Sequence, residues 1–167
     1  PEAIFSDIRG NIQTRLQKLE EQDFDATLLS LAGIKRMKMD IDYEMLPFMI
    51  SAPSQGVIAV AGHSDKKEIN EYLRQINHRP TQICVEIERN FLSTLEGGCT
   101  APIGAFAEIY DNEIRFKGAL CSLDGKNSIA TDESFEYNDT ENFGEKFAKV
   151  ILENGGKELM SEIKSQL

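Results

Sequence analysis

The chain has 167 residues, 41% of them apolar and 28% charged, which suffices for one ordinary domain or two small ones. The formal net charge of −10 argues against a nucleic-acid surface, and no apolar run reaches the roughly 18 residues of a membrane-spanning helix. Because the N-terminus also lacks the basic and apolar segments of a signal peptide, we expect a cytoplasmic protein with neither a membrane nor a nucleic-acid partner.

The first predicted elements are a helix and a buried strand. Asn11 is a suitable N-cap for an amphipathic helix over residues 12–19. The run Ala26 to Leu31 has the apolar character of a strand buried on both faces, and it ends at Ala32 and Gly33. Ligands of open α/β sheets bind beyond the carboxyl ends of strands, so the backbone of these two residues is a candidate ligand contact.

The next stretch predicts irregular core, a second strand and a helix. Residues 34–49 are rich in methionine, for which we expect irregular core filling. A break at Pro53 to Gly56 precedes the apolar run Val57 to Ala61, a predicted strand, and an amphipathic helix follows up to Ile76. Residues 1–76 are therefore predicted to form a partial α/β domain with buried strands.

Residues 77–167 predict a second, α+β domain. Apolar residues recur every four positions from Ile83 to Leu95, which indicates a helix that ends at Gly97-Gly98. Three extended stretches separated by turn residues follow, and they predict a three-stranded antiparallel meander. A last helix pauses at Gly155-Gly156. The expected fold class is thus α/β followed by a small domain in which this sheet packs with helices.

Three cysteines with long gaps between them predict neither a disulfide framework nor a metal site. Cys84 and Cys121 fall inside a predicted helix and strand, and we interpret them as packing residues. Cys99 instead follows two glycines in a loop, where other groups can approach the backbone closely. A single cysteine is nevertheless more often a small buried residue than a nucleophile.

Two arginines flank the start of the first predicted helix. Arg9 lies before the helix and Arg15 just beyond its first turn, so both can face one anion near the helix N-terminus. The alternative interpretation is two solvated surface arginines.

Several segments resemble one enzyme family. The string Leu95 to Gly104, LEGGCTAPIG, with Glu88-Arg89 ahead of it, resembles the cofactor-attachment signature of porphobilinogen deaminases (hydroxymethylbilane synthases). Ser6 to Leu16 resembles the arginine-bearing segment of that family, and Asp23 to Met37 resembles the strand and turn that follow it. The segments occur in the family's order and cover nearly the whole chain, which is similar to the C-terminal part of such an enzyme.

The resemblance implies a covalent cofactor site. Cys99 corresponds to the residue that holds a dipyrromethane through a thioether, and Arg9 and Arg15 to residues that pair with acetate and propionate groups. It further implies cofactor contacts by Ala32, Gly33, Gln55 and Gly56. Two local departures are Ala52-Pro53-Ser54, where the family has a small, glycine-containing lead-in, and His63, where it commonly has arginine.

The implied reaction condenses four porphobilinogen molecules head to tail onto the bound dipyrromethane, with loss of ammonia, and yields hydroxymethylbilane for tetrapyrrole and haem biosynthesis. The family's catalytic aspartate lies in an N-terminal domain, so the resemblance implies no catalytic residue in this chain. We expect the chain alone to be inactive without that domain, and the full-length enzyme to be a monomer.

Two other hypotheses stay open. One is a non-catalytic anion-binding module of α/β type, which uses Arg9 and Arg15 for a carboxylate ligand and Cys99 only for packing. The other is a cysteine-nucleophile transferase that uses Cys99 with His78.

Overall fold

The structure, a computed structural model, describes residues 3–96, 101–111, 113–136 and 142–166. The chain forms two compact units, Pro1–Met45 and Leu46–Leu167. The predicted domain boundary between residues 76 and 77 stays a prediction. None of the helices in the described ranges is long and apolar enough to cross a membrane.

The first unit contains two helices, α1 (Ile12–Glu21) and α2 (Leu31–Arg36). Asn11 caps α1 as predicted, since its side-chain oxygen accepts a hydrogen bond from the backbone N–H of Thr14 at 2.8 Å. Ser30 caps α2 in the same way. Local capping signals therefore determine where both helices begin.

The predicted strand Ala26 to Leu31 does not form in the described part of the first unit. The backbone of this run is irregular until α2 begins at Leu31, and the side chain of Leu28 is 61% exposed. A strand exists only when a neighbouring strand accepts and donates its backbone hydrogen bonds, and residues 3–45 supply no such neighbour. Ala32 and Gly33 consequently lie in the first turn of a helix and not at a strand end.

The start of the second unit also lacks the predicted strand. Residues 57–61 belong to no helix or strand of the described structure, and Ile58 is 80% exposed. The predicted helix follows as α3 (Lys67–Gln75). The expectation that the methionines fill a core is wrong for Met37, Met45 and Met49, which are exposed.

The predicted α+β architecture is confirmed in the second unit. Helix α4 (Arg79–Thr94) precedes an antiparallel sheet in the order β1 (Ile103–Tyr110), β2 (Glu113–Cys121) and β3 (Ser128–Glu136). Ile103 pairs with Leu120. The sheet alternates buried and exposed residues, because one face packs against helices and the other meets solvent.

Aromatic rings fill the space between the sheet and its helices. Phe116 of β2 contacts Phe91 of α4 edge to face, with centroids 5.2 Å apart, and stacks on Phe147 at 4.9 Å. Gly118 makes this packing possible, since a Cβ there would lie 2.7 Å from the Phe91 ring. The core of the second unit therefore sits between β2, α4 and the C-terminal helices.

The C-terminal helices are α5 (Phe143–Ile151) and α6 (Lys157–Gln166), joined by a kink at Leu152–Gly156 where Asn154 and Gly155 leave the helical conformation. Gly155 in that kink has a φ of 98°, a left-handed conformation that glycine adopts without a steric penalty. The predicted pause at Gly155-Gly156 is confirmed. Helix α6 then buries Leu159 and Ile163.

Candidate functional site

The predicted site residues fall in both units. Arg9, Arg15, Ala32 and Gly33 belong to the first unit, and Gln55 and Gly56 to the second. Cys99 lies outside the described residues, as do its neighbours in the segment 97–100.

The first unit gathers cations at the N-terminal end of α1. The guanidinium Nε of Arg15 donates to the carbonyl of Gly10 at 3.0 Å, and Nζ of Lys18 donates to the carbonyl of Arg9 at 3.1 Å. Both side chains thus fold back toward the segment that carries Arg9. Cations and the positive end of the helix dipole lie together there, which suits a carboxylate ligand.

Lys18 is the residue of this group that the sequence reasoning missed. Its spacing of three from Arg15 was the available signal, because residues three apart share a helix face. Gly10 shapes the same turn with a φ of 129°. A Cβ at Gly10 would lie 2.7 Å from the Thr14 side chain, so only glycine fits this position without a shift.

The start of α2 lies against the start of α1. A Cβ at Gly33 would come within 2.5 Å of Cδ1 of Ile12, the first residue of α1. The structure therefore brings the four predicted residues of the first unit to one end of it. The backbone N–H of Gly33 is already donated to Ser30, whose carbonyl oxygen accepts it at 3.0 Å. Gly33 thus has a packing role, and ligand binding by its backbone stays a prediction.

Gln55 and Gly56 lie in an exposed turn of the second unit. The N–H of Gln55 donates to the carbonyl of Ala52 at 3.2 Å, and Gly56 has a φ of 77°. Upstream of the turn, the carbonyl of Ser51 accepts from the N–H of Ala105 in β1 at 2.9 Å. The turn is therefore attached to the edge of the sheet.

Glu88 of α4 is a buried carboxylate that the sequence reasoning noted only within a motif. Its side chain is 5% exposed and accepts backbone hydrogen bonds from Ser54 and Ala107. Burial raises the pKa of Glu88, and the two backbone N–H donors partly offset that rise. The available signal was its spacing, four residues after Cys84 and three before Phe91, which places it on the same helix face as both.

The described residues on either side of the segment 97–100 are held to the fold. On the upstream side Leu95 is buried, and Oε2 of Glu96 accepts from Nζ of Lys164 at 2.7 Å. This partner lowers the pKa of Glu96. On the downstream side the carbonyl of Pro102 accepts from the N–H of Cys121 at 3.0 Å. The sequence position of Cys99 is thus bracketed by two anchored stems.

The two other thiols are placed as packing residues. Cys84 is buried in α4, and burial raises its pKa, which keeps it protonated and poorly nucleophilic. Cys121 is partly buried at the end of β2. His78 is exposed, and its Nδ1 lies 2.8 Å from the Thr81 hydroxyl, so a pairing with Cys99 stays an untested prediction. No group of three metal-ligating side chains occurs within the described ranges.

Two family models match the chain in sequence order. Residues 1–71 match "Porphobilinogen deaminase, dipyromethane cofactor binding domain", and residues 82–153 match "Porphobilinogen deaminase, C-terminal domain". The chain belongs to the porphobilinogen deaminase family. The first matched range holds the arginines and glycines of the first unit, whereas the second holds Cys99.

Three curated relatives illustrate the similarity. The porphobilinogen deaminase of Syntrophomonas wolfei is 34% identical over 97% of this chain and 54% of its own length. That of Carboxydothermus hydrogenoformans is 39% identical over 94% of this chain and 51% of its length. A probable porphobilinogen deaminase of Methanosarcina acetivorans is 38% identical over the whole chain and 54% of its length. The chain spans about half the length of the curated relatives it matches.

Proposed function

We propose that the chain forms the C-terminal half of a hydroxymethylbilane synthase, which condenses four porphobilinogen molecules onto a protein-bound dipyrromethane with release of ammonia. The observation that carries this proposal is the match of both family domains, in order, over residues 1–71 and 82–153. The proposed setting is tetrapyrrole biosynthesis in the cytoplasm.

Cys99 is the proposed attachment residue for the dipyrromethane, through a thioether. The bound cofactor supplies a primer to which each new pyrrole is joined. Cys99 alone among the cysteines directly follows two glycines in the sequence, and the nearby described residues Glu96 and Pro102 are hydrogen-bonded to the fold.

Arg9 and Arg15 are the proposed carboxylate-binding residues. Every pyrrole added by the proposed reaction brings two carboxylates, and a guanidinium binds a carboxylate bidentately without losing its charge. The donor set of the first unit fits such a ligand, since Lys18 adds a third cation at the same end of α1. Ala32 and Gly33, at the start of α2, are further proposed cofactor contacts. Gln55 and Gly56, in the exposed turn of the second unit, are proposed contacts as well.

The N-terminal half of the relatives is the proposed partner of residues 57–76. This stretch leaves apolar side chains exposed, which an isolated domain rarely does. Those exposed residues are Val57, Ile58, Val60, Ile69, Tyr72 and Ile76. Because the catalytic aspartate that the resemblance implies also lies in that half of the relatives, the chain alone should not convert porphobilinogen. The complete enzyme is proposed to be a monomer.

Intact mass of the full-length gene product after exposure to porphobilinogen tests the proposal. We expect an added mass equal to one dipyrromethane, lost in Cys99→Ser and retained in the matched control Cys121→Ser. An unmodified wild-type protein, or a mass that survives Cys99→Ser, contradicts it. In that case the non-catalytic anion-binding module becomes the better interpretation of Arg9 and Arg15.

A further inference from the structure

Glu88 is the one charged side chain that is buried among the residues the structure describes. Burying a carboxylate is costly unless hydrogen bonds compensate it. At Glu88 the compensation comes from backbone N–H groups: Oε2 accepts from Ser54 at 2.6 Å, and Oε1 accepts from Ala107 at 2.9 Å. One side chain therefore joins three parts of the second unit, namely α4, β1 and the segment Ile50–Gly56.

The segment Ile50–Gly56 covers the free edge of β1. The carbonyl of Ser51 accepts from the N–H of Ala105, and Ile50 lies against Gly104, where a Cβ would be 2.9 Å from the Ile50 Cβ. Ala105 and Ala107 are successive outward-facing donors on this edge. The N–H of Ala105 donates to the carbonyl of Ser51, and the N–H of Ala107 donates to the Glu88 carboxylate. The carboxylate therefore accepts the edge hydrogen bond that the segment Ile50–Gly56 does not reach.

Ser54 adopts an unfavourable backbone conformation at the point where Glu88 holds it. Its φ is 65°, in the left-handed region that a residue with a Cβ rarely adopts. Its hydroxyl is also buried without a hydrogen-bond partner in the described part of the chain. Such a conformation persists only when the surroundings enforce it, and the 2.6 Å bond to a carboxylate is the strong contact available.

We propose that Glu88 is a positioning residue, whose carboxylate holds the backbone of Ser54 and thereby sets where Gln55 and Gly56 lie relative to helix α4. That helix ends at Thr94, five residues before Cys99. The consequence for the reaction rests on the proposed function, in which Gln55 and Gly56 contact the cofactor. The inference that Glu88 fixes the segment Ile50–Gly56 does not depend on the proposed function.

Hydrogen exchange of backbone amides, measured by mass spectrometry in a Glu88 variant, tests whether this carboxylate holds the segment Ile50–Gly56. Glu88→Gln leaves one acceptor oxygen for two N–H donors, so one of the two bonds must break. We expect exchange to rise by about tenfold or more at whichever amide loses its acceptor, Ser54 in the peptide that contains residues 50–56 or Ala107 in β1, given the usual strength of a hydrogen bond to a charged group. Glu86→Gln, the same substitution at an exposed position of the same helix, should leave exchange unchanged.

The hydrogen bond between the Ser54 N–H and the Glu88 carboxylate can also be removed by changing Ser54, which leaves Glu88 in place. Ser54→Pro removes the N–H and fixes φ near −65°, so it should raise exchange of the segment. Ser54→Gly keeps the N–H and adopts a positive φ freely, so Glu88 should still hold the segment. Equal exchange in Ser54→Pro, Ser54→Gly and the wild-type chain overturns the proposal, even if Glu88→Gln fails to fold.

The effect on the reaction is measured in the full-length gene product as turnover per cofactor-loaded molecule, with the load read from intact mass. We expect Glu88→Gln and Ser54→Pro to lower kcat about tenfold while keeping the cofactor mass, and Glu86→Gln to match wild type. Unchanged kcat per loaded molecule limits Glu88 to a stabilising role and overturns the positioning role. A wild-type protein that never carries the cofactor mass refutes the proposed function, whereas the exchange result still decides whether Glu88 fixes the segment.

Discussion

The two units differ in what holds them together. In the first unit, Ile34 is the one buried apolar residue that the described residues show, and the helices begin at local caps. In the second unit, the core runs from Cys84 to Ile163 and joins five elements, α4, β1, β2, α5 and α6, that are spread over the sequence. Local signals are enough to start a helix, but a cooperative core requires long-range packing.

Truncating the core should produce the largest difference between the units. Phe116→Ala removes a ring that is 0% exposed and contacts Phe91 and Phe147, and we expect a loss of about 3–5 kcal/mol in the free energy of unfolding of the second unit. Urea unfolding followed by near-UV circular dichroism measures it. Phe106→Ala, on the solvent face of the same sheet, is the control and should cost far less. Similar losses for both variants would contradict the described core.

Tightening the contact between α4 and α5 should have the next largest effect. A Cβ at Gly144 would collide with the carbonyl oxygen of Ile87 and lie 2.8 Å from the backbone nitrogen of Phe91. Backbone atoms cannot move aside as a flexible side chain can, so we expect Gly144→Ala to cost about 1–3 kcal/mol in thermal unfolding. Gly125→Asn is the control, because the site is open and asparagine tolerates its φ of 70°. A neutral Gly144→Ala would show that the two helices are further apart.

The first unit should respond to the loss of a cap. Asn11→Ala removes the acceptor for the N–H of Thr14, and we expect α1 to lose roughly 1 kcal/mol of stability. Faster amide exchange in residues 12–21, without a change in the core of the second unit, is the expected result. Gln13→Ala, at an exposed position of the same helix, should not accelerate exchange. A change that spreads into α4 and the sheet would show that the two units unfold together.

The pKa values of two carboxylates of the second unit should be shifted in opposite directions from their ordinary values. The hydroxyl of Ser122 and then the backbone N–H and side chain of Lys126 lower the pKa of Asp124 to about 2, whereas burial raises the pKa of Glu88 above 4.5. The contribution of Asp124 to stability is therefore present above pH 3.8 and is lost as the pH falls through about 2. The folded state instead binds the Glu88 proton more tightly, so stability declines as the pH rises from 4.5 through the raised pKa.

Carboxyl carbon chemical shifts followed by NMR check both directions. Ser122→Ala should raise the pKa of Asp124 toward 3.8 and leave that of Glu88 unchanged. An Asp124 that titrates at its ordinary value in the wild-type chain would contradict the hydrogen bonds described for the turn between β2 and β3.

Much of the second unit could be predicted from its sequence. The four-residue apolar spacing from Ile83 to Leu95 predicts α4, and the turn residues between extended runs predict the meander, because each signal is local. The strand predicted at Ala26 to Leu31 failed for the opposite reason. An apolar run shows that a segment is suited to burial, but a strand also requires a partner, which the described residues of the first unit do not provide.

Part of the candidate site could also be predicted from the sequence, whereas another part could not. Glycines and a cysteine in one short string, and arginines around a capped helix start, could be read directly, because their chemistry is carried by residue type and spacing. The sequence by itself thus determined the family, the helices with their caps and the antiparallel sheet. Only the tertiary structure decided that Lys18 joins the arginines and that Glu88 holds Ser54. Glu88 and Ser54 lie 34 residues apart, and no local pattern specifies which buried donor a carboxylate will reach.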